Sequence, residues 1–194
     1  MNNTSNNSNN RFLSLLKDSQ SRSINGETPE QVYSRYFDKQ SKSEDSLAFP
    51  IDKFAEEFGL KVDREALINE SGIIKKKQIM ISLFESTLRQ NFSVAHEMGH
   101  HFLHPCEEGK NRTSEDIYTT EQKKEEEEAN FIAGNLLMPE VLLKKQYDMQ
   151  KEQNVVIEDI VRILSKKFQV SGLAIIFRLK ELGIIDRWIW IDVI

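Results

Sequence analysis

Cysteine is nearly absent from this chain: of 194 residues only Cys106 is one, so no intramolecular disulfide can form. A lone thiol fits a reducing compartment, and the expected location is the cytoplasm. There is no run near the roughly 18 consecutive apolar residues a membrane span requires, so no membrane segment is expected. The amino terminus, MNNTSNNSNN, has neither a basic start nor an apolar core of signal-peptide type. Excess positive charge is missing too. With a net charge of −5, the chain is not built over its whole surface for nucleic acid. Proline occurs four times and no internal repeat is visible.

What is present is ordinary material for a globular fold, 39% apolar and 29% charged, enough for one domain with a small appendage. Residues 1–10 are rich in Asn and Ser and are expected to be disordered, since they offer little to bury against the entropy of ordering. Residues 11–49 form an N-terminal helical extension and linker. Its clearest helix begins at Thr28-Pro29-Glu30-Gln31, which has capping-box spacing and proline in the first turn. From Pro50, the periodicity of Ile51, Phe54, Ala55 and Phe58 predicts a helix that stops at Gly59. "LKV" and "GIIKKKQIMISLF" predict strands of a small sheet, with the Lys75–Lys77 run as the turn between two of them. Helices are predicted over 87–104, from Thr119 to Met138, and after Pro139. Residues 148–194 read as a C-terminal helical segment followed by a terminal strand, "RWIWIDVI", packed on it.

All four histidines fall within "HEMGHHFLH", as His96, His100, His101 and His104. On a helix, His96 and His100 stand one turn apart on one face, within reach of a single zinc ion. Glu97 lies between them in sequence and is offset around the helix, where it can accept a proton from a water in the metal's open position. Gly99 leaves room for another segment to approach closely. The plain alternative is an amphipathic helix with a chance histidine cluster. The helical setting, the apolar flanks and the absence of histidine elsewhere argue for the metal.

A catalytic zinc needs a third protein ligand. Leu103 and Cys106 stand where a glycine and a third histidine would complete the longer H-E-x-x-H-x-x-G-x-x-H motif, so a second helix must supply it. "KKEEEEANFIAGNLLMP" offers carboxylates. A solvated glutamate face is the bland reading. However, the run flows into an apolar helix, and Glu126, Asn130, Ala133 and Leu137 share one stripe. Asn130 can then support a ligand from behind. On the residues alone, Glu126 and Glu128 both remain candidates.

Together, "RQNFSVAHEMGHHFLH" and "EEEANFIAGNLLMP" resemble the ImmA/IrrE family of metallopeptidases, through Arg89, Phe92, Ser93, Ala95, His96, Glu97, Gly99 and His100, and again through Glu126, Glu128, Ala129, Asn130 and Leu136 to Pro139. The likeness extends over about residues 50 to 185. It implies an α+β fold, a mostly helical zincin-like metallopeptidase domain (residues 50–147) with a small β-sheet and a C-terminal helix-turn-helix-like segment. It also implies a zinc endopeptidase of gluzincin type, with His96, His100 and Glu126 on Zn2+ and Glu97 as general base. The implied substrate is a helix-turn-helix transcriptional repressor, often of a prophage or mobile element, in a stress response. Tyr118 and Arg89 are candidates to stabilise the oxyanion. The competing reading is a non-proteolytic zinc regulator, or a module that binds DNA or a repressor through its C-terminal helices. Against DNA, Arg178 and Lys180 are a thin basic supply.

Overall fold

The architecture was obtained as a computed structural model, which describes residues 5–19, 22–43, 46–68, 70–104 and 119–186. Among these, eight helices and one three-stranded sheet follow in the order α1 (Ser5–Asp18), α2 (Pro29–Ser41), α3 (Ile51–Glu57), β1 (Lys61–Glu65), β2 (Gly72–Lys75), β3 (Gln78–Ser82), α4 (Thr87–Leu103), α5 (Thr120–Leu137), α6 (Glu140–Glu152), α7 (Ile157–Phe168) and α8 (Gly172–Glu181). The fold is α+β and mostly helical, of zincin-like type. No described helix is long and apolar enough to cross a membrane.

Local chemistry sets the helix starts. Two capping boxes form: Thr28 accepts from the Gln31 backbone while Gln31 reaches back to Thr28, and Thr119 and Gln122 do the same at α5. Ser86 caps α4 through the backbone N–H of Arg89.

β3 is the central strand, parallel to β1 and antiparallel to β2. Lys76, with φ of 55°, and Lys77 form the turn between β2 and β3. Ile79 and Ile81 of β3 point inward and are fully buried. Behind the sheet, Phe49, Phe54, Phe58 and Phe102 pack edge to face in sequence, with ring centroids 5.2, 5.2 and 5.0 Å apart.

A single apolar core runs from Phe12 to Ile185. The predicted disorder of residues 1–10 is corrected over its second half, because α1 begins at Ser5. The polar first turns extend a helix whose later residues Phe12 and Leu16 are fully buried. Tyr33 of α2 meets Phe12 edge to face at 4.9 Å. The "RWIWIDVI" strand expected at the end lies outside the described residues, as do Cys106 and Tyr118.

Candidate metal centre

α4 and α5 are the most intimately packed pair of helices, and one residue on each explains why. A Cβ on Gly99 would lie 2.7 Å from Cα of Ala129 and 2.8 Å from its carbonyl oxygen. Only glycine allows the two backbones so near. The pairing runs antiparallel: His96 faces Asn130, and His100 faces Glu126.

At this crossing three ligand atoms converge. Nε2 of His96 and Nε2 of His100 are 3.0 Å apart, and the Glu126 carboxylate is 3.1 Å from the first and 3.3 Å from the second. Bonds of about 2 Å to a tetrahedral zinc place neighbouring ligand atoms about 3.3 Å apart. The three separations therefore match one face of such a tetrahedron, and these residues can hold a metal ion. His100 is 5% exposed, which keeps water off one side, while His96 and Glu126 are only partly covered.

The hydrogen bonding fits a cation as well. Oδ1 of Asn130 lies 2.9 Å from Nδ1 of His96, so this nitrogen is the donor and carries the proton. Nε2 of His96 is then left with a lone pair aimed at a carboxylate oxygen. Two acceptors at 3.1 Å need a positive charge between or upon them. Burial works to raise the Glu126 carboxyl, but the His100 and His96 imidazoles beside it outweigh burial and hold it well below the usual carboxylate range. The carboxylate thus stays ionised, as a metal ligand must be.

Glu128, the rival third ligand, is turned elsewhere. Its carboxylate lies 3.8 Å from His104 and 3.8 Å from Lys124. His101 points off the stripe into the core, 9% exposed, with its ring edge-on to Phe58 at 6.5 Å. Burial first, and the charge of Arg22 second, push its imidazole down to about 4, so it is neutral at pH 7. Arg89 pairs with Glu85 at 2.7 Å in the first turn of α4, two turns before His96.

Glu97 is buried, 2% exposed, and has a neighbour that motif reading missed. A Cβ on Gly72 would meet Cγ of Glu97 at 3.4 Å and its Oε1 at 3.5 Å. The first residue of β2 therefore lies against the carboxylate with no side chain between them. In the sequence, Gly72 is merely a glycine ahead of two isoleucines, and only the sheet register places it here. Also unforeseen is the interior role of Arg178, 2% exposed. It donates to Oδ1 of Asn135 at 2.7 Å, to the Met138 carbonyl at 3.3 Å and to Glu181 at 2.8 Å.

Comparison with known proteins adds the following. The profile of the IrrE N-terminal-like domain, peptidase M78, matches residues 48–180. No curated protein matches the chain significantly. A solved structure described as a Mycobacterium tuberculosis transcriptional regulator is similar at 13% identity and a TM-score of 0.49, over 87% of this chain and 52% of that one. The chain thus spans about half the length of that protein.

Proposed function

The chain belongs to the IrrE N-terminal-like domain family, and from that premise we propose that it is a zinc-dependent endopeptidase. The observation that carries this reading is the triangle of His96, His100 and Glu126, with edges of 3.0, 3.1 and 3.3 Å. Zinc bound there would supply Lewis acidity toward a carbonyl oxygen and lower the pKa of water toward neutrality. Asn130 holds His96 in the tautomer that presents Nε2. Glu97 acts as general base: its carboxylate takes the proton of the attacking water and returns it to the departing amine nitrogen.

The sheet supports a peptide substrate. Ser82 donates its N–H to the Ser71 carbonyl at 2.9 Å, and Gly72 is registered with Ile81. Alternation along an antiparallel pair then turns the N–H and C=O groups of Gly72 and Ile74 away from β3, toward the outer edge of the sheet. An extended polypeptide can add there as a further strand, and Gly72 brings it beside Glu97.

The substrate we propose, with the family resemblance as its support, is a helix-turn-helix transcriptional repressor, of a prophage or mobile element, cleaved in a cytoplasmic stress response. Direct DNA binding through α8 is disfavoured, because Arg178 is consumed inside the protein and leaves Lys180 as the helix's other cation. Glu97→Gln tests the reading. It should keep its zinc and lose at least about a hundredfold in cleavage rate of an unfolded protein or a candidate repressor. Undiminished cleavage by this variant would exclude Glu97 as the base.

A further inference from the structure

The histidine-rich segment HEMGHHFLH contains a third histidine on the ligand side that the metal triangle does not use. His104 is the C-cap of α4, with extended backbone (φ −120°, ψ 135°), and its N–H bonds the carbonyl of His100 at 2.9 Å. The change from helical to extended backbone redirects the side chain toward α5. There Nε2 lies 3.3 Å from the carbonyl oxygen of Glu125, the residue before Glu126, and donates to it. The Glu128 carboxylate is 3.8 Å from the same nitrogen, and the ring is 5.4 Å from that of His100.

This contact falls on a stretch of α5 that no buried residue of its own anchors, where among the described residues the Glu126 carboxylate also meets His96 and His100. None of residues 120–128 is buried, and burial along the helix begins at Ala129. The turn that carries Glu126 therefore extends beyond the packed crossing at Gly99. It also bears four consecutive carboxylates, Glu125 to Glu128, which repel one another. We propose that His104 is a positioning residue that staples the Glu126 turn of α5 to the His100 turn of α4, so that the third ligand stands in place before metal arrives. The inference rests on the metal reading for its consequence, but its physical content, a clamped half-helix, is independent of metal.

The test compares the unaltered chain with His104→Ala and His104→Gln, whose amide N–H has the same number of bonds from Cα as Nε2 of histidine. Hydrogen exchange over residues 120–128 is measured in chelator-stripped protein, and zinc affinity by competition with a chromophoric chelator. The Ala variant should exchange faster over this segment alone, with the thermal midpoint unchanged, and should bind zinc about ten- to a hundredfold more weakly. The Gln variant should recover most of both. Exchange over 120–128 that is the same in the Ala variant overturns the staple, whatever zinc does. Faster exchange with unaltered zinc affinity overturns its role in placing the ligand. Failure of the unaltered chain to bind zinc would defeat the metal reading, while the exchange data would still decide the staple.

Discussion

Asn130 and His101 show how neighbouring positions on two helices divide polar work. Asn130 is exposed and faces the proposed ligands, where its amide oxygen selects the His96 tautomer. His101 is one residue from a proposed ligand, yet a turn of about 100° puts it in the apolar interior against Phe58. A buried neutral imidazole has a pH signature. With a folded-state value of about 4 against 6.5 when exposed, the unfolded chain binds the proton first as pH falls. The stability this group confers is full above about pH 6.5 and is lost progressively down to about pH 4. In chelator-stripped protein, His101→Phe should therefore reduce the fall in denaturation midpoint between pH 7 and pH 5. Equal slopes for the two proteins would contradict the burial argument. Residue spacing made the candidate ligand pair His96 and His100 legible in the sequence, because i and i+4 on a helix need no tertiary information. The choice between Glu126 and Glu128 did need it. Those two residues lie about 200° apart around α5, and only the packing partner decides which one faces α4.

At the scale of elements, the site is the seam between two helices. Its width is set by Gly99 against Ala129, and the proposed metal triangle bridges it, with His100 next to Gly99 and with His96 and Glu126 each three residues from the contact. Gly99→Ala must move one backbone, since the clash at 2.7 Å is with main-chain atoms that cannot swing aside. We expect a stability loss of about 1–3 kcal/mol by denaturant titration, accompanied by weaker zinc binding. A fully stable variant with unaltered zinc affinity would show that the seam has slack. Helix positions were readable from the capping-box spacings at Thr28 and Thr119 and from apolar periodicity. The approach of β2 to Glu97 was not, because strand pairing depends on which segments meet across the fold. Nothing local marks Gly72 as the neighbour of a buried carboxylate.

For the whole molecule, the first helices join the core that carries the site. The family match begins at residue 48, yet Phe12, Leu16 and Val32 are as deeply buried as Ile132 and Leu136 of α5. Arg11 also sets its guanidinium 4.5 Å over the ring of Phe131, next to Asn130. Phe12→Ala should cost about 3–5 kcal/mol in chemical denaturation, the range for a large aromatic removed from a packed interior. A loss below about 1 kcal/mol would show α1 to be a detachable appendage. The disorder expected of residues 1–10 failed from Ser5 onward for a related reason. Composition reports what a segment can bury by itself, whereas the first turns of α1 extend a helix anchored further along. At the other end, Arg178 looked like a surface cation and proved to be an internal tie to Asn135 and Met138, a role invisible without its partners.

The claim on which the rest depends is that His96, His100 and Glu126 hold one zinc ion, and metal content measured by elemental mass spectrometry tests it most directly. The purified chain, supplied with zinc and freed of excess, should carry about one ion; Glu126→Ala should lose it and Glu128→Ala should keep it. No zinc in the unaltered chain, or zinc lost with Glu128 and retained without Glu126, would contradict the account.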